Sequence, residues 1–175
     1  MSEDHFHRLG LPRRFVVDAG ELERAYLARS RAVHPDYHLA GSSADLNASL
    51  EQSAAINEAY TTLRDPFARA EHLLRLEGGP SAAEHKQVPS AFLAEMLDAR
   101  EEIEAARGKP AEVEQLKRAF AARFDATMGE VAGALEQVAA LPPDDSRRAD
   151  LALRVRGLLN AAKYLRGLVR DLDAE

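Results

Sequence analysis

Three consecutive residues, His34, Pro35 and Asp36, carry the side chains best suited to chemistry in this chain. An imidazole that titrates near neutrality stands two residues from a carboxylate, a pair able to move protons, hold a metal or bond to a partner. A hydrolase also needs a nucleophile or an activated water between positioned groups, and no third group is fixed nearby. Pro35 keeps His34 and His38 from acting as a helical i, i+4 metal pair. His5 and His7, two apart, read as surface histidines. A metal-dependent or hydrolytic enzyme using His34 and Asp36 is therefore the remote alternative. Recognition by another protein is the better reading.

The tripeptide arises by chance in roughly one chain in a hundred of this length, so its placement matters more than its presence. A helical stretch from Asp18 to Val33 precedes it. The residue before a proline avoids the α region, so that helix should end at about His34. A polar loop through Gly41-Ser42-Ser43 leads to a second helix, on which Leu46, Leu50, Ser53, Ile56, Asn57, Tyr60 and Leu63 recur at helical spacing. The two helices form an antiparallel hairpin, with His-Pro-Asp at its turn. Asp18 with Glu21 has capping-box spacing, and Asp4 is a plausible cap for a short turn to Leu9. On the first hairpin helix Leu22, Tyr26 and Val33 share a sector, with Arg24 and Arg31 nearly opposite. Those arginines are either a solvated face or a basic surface for an acidic partner.

Asp65-Pro66 breaks the second helix, and a shorter amphipathic segment of Phe67, Ala70, Leu73, Leu74 and Leu76 follows. Gly78-Gly79-Pro80-Ser81 marks the domain boundary, giving a first domain over 1–77, a linker over 78–89 and a second domain over 90–175. The second domain reads as three helices, about Ser90 to Ala106, Ala111 to Leu141 and Asp144 to Leu172. Short turns join them, so an antiparallel three-helix bundle is expected. Its last helix has a heptad-like seam of Leu151, Val155, Leu158, Ala162, Leu165, Val169 and Leu172. Val113, Leu116, Phe120, Phe124, Val131, Leu135 and Val138 give the middle helix a comparable face. In the first, Phe92, Met96, Ala99 and Ile103 face the interior, while Leu93 and Leu97 form a second stripe beside Asp98, Glu101 and Glu102. That stripe is either the edge of a wide core face or an apolar docking patch rimmed by acid. Tyr164 falls off the heptad seam and could join such a patch.

The chain has no cysteine and a formal charge of −6, which exclude disulfides and thiolate metal sites and argue against nucleic acid as the main partner. No apolar run reaches the ~18 residues that a membrane helix needs, and no secretory or transit segment is evident, so a cytoplasmic protein is expected.

The N-terminal part resembles a J-domain on Phe6, Leu9-Gly10-Leu11-Pro12, Phe15, Leu22, Tyr26, His34-Pro35-Asp36, Ile56-Asn57, Ala59-Tyr60, Leu63, Pro66, Arg69-Ala70 and Leu73-Leu74. With Phe92-Leu93, Leu97 and Arg100-Glu101-Glu102, a segment that general J-proteins lack, the whole chain resembles the HscB family, J-type co-chaperones of iron–sulfur cluster assembly. The resemblance implies an all-α, L-shaped protein of two domains, without catalytic activity and without a cofactor of its own. It implies that the J-domain stimulates ATP hydrolysis by a chaperone of the HscA/DnaK type, using His34, Pro35 and Asp36 with Arg24 and Arg31 beside them. The bundle would bind the IscU-type scaffold through Leu93, Leu97, Asp98, Glu101 and Tyr164. Weak self-association through that patch is a further expectation. Three residues depart from the family pattern: Tyr37 stands where J-domains usually have Lys, and Ala94 and Ala105 occupy patch positions where larger apolar or acidic side chains occur. The Cys-rich extension of eukaryotic members is not seen, which fits a bacterial protein. A J-protein with a different client is the main alternative.

Overall fold

The computed structural model describes residues 4–33, 43–88 and 90–173. His34, Pro35, Asp36, Tyr37 and His38 lie outside them. The described chain is helical: α1 (His5–Leu9), α2 (Ala19–Ala32), α3 (Ser43–Arg64), α4 (Pro66–Leu76), α5 (Ser90–Ala106), α6 (Pro110–Ala140) and α7 (Arg147–Asp173). It divides into two compact units, one ending at Leu76 and one beginning at Glu77.

Local signals set the ends of the helices in the first unit. Asp4 accepts the backbone N–H groups of Phe6 and His7, so it caps α1, and Gly10 closes that helix at φ 72°. A left-handed closing residue strains any side chain with a Cβ, which is why glycine stands there. The Asp18 carboxylate accepts from the Glu21 N–H at 2.7 Å. Glu21 itself pairs with Arg14. Asp65 accepts the Phe67 N–H at 2.8 Å, capping α4 with Pro66 in its first turn.

Phe6, Leu9, Leu11, Leu22, Ile56, Ala59, Leu63, Phe67, Ala70, Leu73 and Leu74 form the buried apolar set of this unit. Two expectations need correction. Leu46 and Leu50 are exposed, so the buried stripe of α3 starts at Ser49 and runs through Ile56, Ala59 and Leu63. The interior role at the start of α3 is polar: the Ser49 hydroxyl donates to the Val33 carbonyl at 2.6 Å. His5 is not a surface residue but 4% exposed. It sits on the apolar side of α1 with Phe6 and Leu9, and its ring stacks on His72 with centroids 4.3 Å apart.

His72 is buried as well, and donors face both of its ring nitrogens. The His5 N–H lies 3.1 Å from Nε2 and the Arg75 guanidinium 2.7 Å from Nδ1. Burial, then the charges of His5 and Arg75, depress its pKa to about 4, against a weaker pull from Asp4.

In the second unit, α6 and α7 are the long pair. At ~1.5 Å per residue they run about 46 and 40 Å, while α5 covers only about 26 Å. Lys117 on α6 pairs with Asp173 at the end of α7, which fixes the antiparallel sense. Where α5 is present, Met96, Ala99, Phe120, Leu165, Leu168 and Leu172 form a joint core, with Phe92, Ile103, Val113, Leu116 and Phe124 packed against it. Beyond α5, Val131, Ala134, Leu135 and Val138 of α6 and Val155 and Leu159 of α7 are buried. There the segment before α5 is bonded to α7: Asn160 Nδ2 donates to the carbonyls of His85 and Gln87, each at 3.0 Å. Arg148 donates to the Val138 and Leu141 carbonyls at the end of α6 and pairs with Glu77 at 2.5 Å. The seam expected for α7 is buried at Val155, Ala162, Leu165 and Leu172, but the buried face is wider than the seam. Leu151, Leu158 and Val169 are only half-buried, while Ala152, Leu159 and Leu168 are buried in full. A strict heptad tracks a narrow contact with one helix; α7 meets neighbours on two sides, and the buried face widens accordingly.

The His72 environment has a pH signature. Above about pH 6.5 the ring is neutral folded and unfolded, so it adds no pH dependence. As pH falls from 6.5 toward 4 the unfolded chain takes up a proton that the folded chain refuses, and stability drops by about 3 kcal/mol. Urea unfolding between pH 7.5 and 4.5 should show this loss in the wild type and lose most of it in His72→Gln. Equal slopes in the two proteins would exclude His72 as its source.

Candidate docking faces

Two surfaces carry the residues picked out by sequence, one on each unit. On the first unit, Arg24 and Arg31 are both exposed on α2, opposite buried Leu22. Between them in the helical series lies Leu27, 42% exposed. Arg24, Leu27 and Arg31 step by three and four residues, so they form one row. Charge alone does not single out Leu27; its spacing from the two arginines does. The opposite side of α2 is fixed to α3. Tyr26 stacks on Tyr60 at 4.3 Å, and its hydroxyl donates to Asn57 at 2.9 Å. The Ser49 bond to the Val33 carbonyl holds the C-terminal end of α2 against α3.

On the second unit, α5 exposes Leu93 at 47% and Leu97 at 66%, whereas Met96 is 1% exposed. Of the two apolar stripes, one is core and the other is surface. Asp98 and Glu101 are exposed beside the leucines. Tyr164 of α7 is half-buried: Phe92 meets its ring edge-on at 6.0 Å, and the Arg100 guanidinium lies over it at 5.4 Å. Arg123 covers the Phe92 ring at 5.7 Å and pairs with Glu95. These contacts bring Tyr164 against the same stretch of α5 that bears Leu93 and Leu97. Leu93, Leu97, Asp98 and Glu101 are thus exposed on α5, while Tyr164 is partly spent on packing against Phe92 and Arg100 of the same helix.

Among the described residues no group of three His, Asp or Glu side chains could hold a metal ion, and no helix is long and apolar enough to cross a membrane. Exposed leucines with a charged rim are instead the ordinary make-up of a surface that binds protein.

Comparison with known proteins agrees in kind. Residues 88–170 match the family model described as the HSCB C-terminal oligomerisation domain. A co-chaperone protein HscB homolog of Chromobacterium violaceum is 39% identical over 118 residues, 67% of either chain. One from Ralstonia nicotianae is 41% identical over 107 residues, 61% of either chain. The chaperone HscB from Vibrio cholerae superposes with a TM-score of 0.79 at 26% identity, covering 98% of this chain and 96% of its own. Human co-chaperone HscB gives a TM-score of 0.82 at 24% identity over 99% and 82% of the two chains, a likeness of fold. Fold and relatives together define the class, an all-helical co-chaperone in which a J-domain is followed by a helical bundle. Within that class, the chain belongs to the HscB family.

The two stripes of α5 differ in what their removal should cost. Leu93→Ala/Leu97→Ala deletes exposed side chains and should change unfolding free energy by less than about 1 kcal/mol. Met96→Ala opens a cavity in the bundle core and should cost about 2–5 kcal/mol. Thermal and urea unfolding of the two variants would test this. A heavily destabilised leucine pair variant would mean that those leucines are core.

Proposed function

We propose that this chain is a non-enzymatic co-chaperone of iron–sulfur cluster assembly. It activates the ATPase of an HscA/DnaK-type chaperone and delivers the IscU-type scaffold to it. The observation that carries the reading is the pair of exposed leucines, Leu93 and Leu97, flanked by Asp98 and Glu101 on a helix whose other apolar stripe is buried. Membership of the HscB family supports it, since the curated relatives are named co-chaperones.

In this reading His34, Pro35 and Asp36 engage the ATPase, and the α2 row of Arg24 and Arg31 faces an acidic surface of the chaperone. Long basic side chains on an exposed helix mainly steer encounter and set orientation. Leu27 between them adds apolar contact. On the bundle, Leu93 and Leu97 supply the area that is desolvated on docking, Asp98 and Glu101 select a basic rim, and Tyr164 closes one edge. Both domains act by binding, so the chemistry stays with the partners: the nucleotide with the chaperone and the cluster with the scaffold. The protein needs no cofactor for either role. It works in the bacterial cytoplasm, with no nucleic acid or membrane partner.

Steady-state ATP hydrolysis by the HscA-type chaperone of the same organism tests both halves. The wild type should stimulate hydrolysis, more so with scaffold present, and His34→Gln should lose the stimulation. Stimulation that scaffold does not enhance would point to another client. Equal rates with wild type and His34→Gln would refute the assignment of residues 34–36.

A further inference from the structure

The docking face on α5 carries Asp98 and Glu101, and where α5 borders α7 it carries the cations Arg100 of α5 and Lys163 of α7. Where α5 meets α7 the surface opens into a cavity of about 320 Å3, lined among others by Arg100, Asn160, Lys163, Tyr164, Arg170 and Asp171. Most of these polar groups are already committed. Arg170 lies 3.4 Å from the Asp171 carboxylate, so that pair is close to neutral. Asn160 spends its amide N–H groups on the His85 and Gln87 carbonyls. Two cations remain. Arg100 rests over the Tyr164 ring, a contact that offers its N–H donors no oxygen acceptor. Lys163 is exposed and has neither an ion pair nor a side-chain hydrogen bond among the described residues.

Two uncompensated cations that line one cavity repel each other, and a carboxylate between them relieves the repulsion while gaining charge-assisted hydrogen bonds. The Arg100 guanidinium is held in place by Tyr164, so little side-chain freedom is lost when it binds. We propose that this cavity is a carboxylate-reading subsite of the docking face, in which Arg100 and Lys163 receive an Asp or Glu side chain of the docked scaffold protein. The inference rests on the reading of Leu93 and Leu97 as the scaffold-binding pair, and it names the chemistry that the scaffold must present. A basic group opposes Asp98 and Glu101, an apolar patch covers the leucines, and a carboxylate lies next to Tyr164. A face with Asp98 and Glu101 at one end and Arg100 and Lys163 at the other fixes orientation, because a partner turned by half a revolution meets like charges at both ends.

The test is a titration of cluster-free IscU-type scaffold into the full chain, by calorimetry, at low and moderate salt. Lys163→Glu should raise Kd by about tenfold or more, and Lys163→Gln by a few-fold. Arg154→Glu, which makes the same charge change at an exposed position elsewhere on α7, should alter Kd by less than about twofold. Leu93→Ala/Leu97→Ala serves as the reference for the face itself and should weaken binding strongly. Weakening by the leucine pair, with Lys163→Glu no worse than Arg154→Glu, would overturn the subsite and leave the docking face standing. Binding unaffected by the leucine pair, or none by the wild type, would overturn the scaffold reading and the subsite with it.

Discussion

Burial of Met96 between α6 and α7 is the constraint on which the second unit depends. A fully buried side chain of this size contributes about 1.5–3 kcal/mol, and it lies among Leu165, Leu168 and Leu172, all nearly inaccessible. With Met96 and Ala99 pointing inward, the rotation of α5 about its axis is settled, and Leu93 and Leu97 must point out. The Phe92 and Tyr164 rings, with Arg123 and Arg100 over them, secure the same rotation at the rim. Display of the leucines is a consequence of what the helix buries on its other side.

The first unit reaches a comparable result with polar contacts. Ser49 holds the Val33 carbonyl, and Tyr26 spans to Asn57 and Tyr60, so α2 keeps a fixed register on α3. A carbonyl at a helix end has no partner within the helix, and a buried one without a donor costs roughly 1–3 kcal/mol. Satisfying it from α3 fixes the C-terminal end of α2. Arg24, Leu27 and Arg31 on the far side take no part in that packing and are exposed. Most ion pairs elsewhere are exposed and of small weight, about 0–1 kcal/mol each. The Arg148–Glu77 pair is better sheltered, and its arginine also satisfies two carbonyls at the end of α6.

Local chemistry determined much of this protein from its sequence alone. Asp4, Asp18 and Asp65 cap helices because short carboxylates followed by free N–H groups have one favourable arrangement, and Gly10 and Gly108 close helices because they accept positive φ. Periodicity gave the helices of the bundle and the interior stripe of α5, and the residue pattern around 92–102 pointed to the HscB family. Tertiary structure decided what periodicity leaves open. Periodicity reports that an apolar face exists but not how wide a neighbour covers it, so Leu46 and Leu50 turned out exposed and the buried face of α7 widened to take in Leu159 and Leu168. The burial of His5 depends on a ring 67 residues away, and no local rule contains it. Leu93 and Leu97 could have been core or surface; only the packing of Met96 against α7 made them surface.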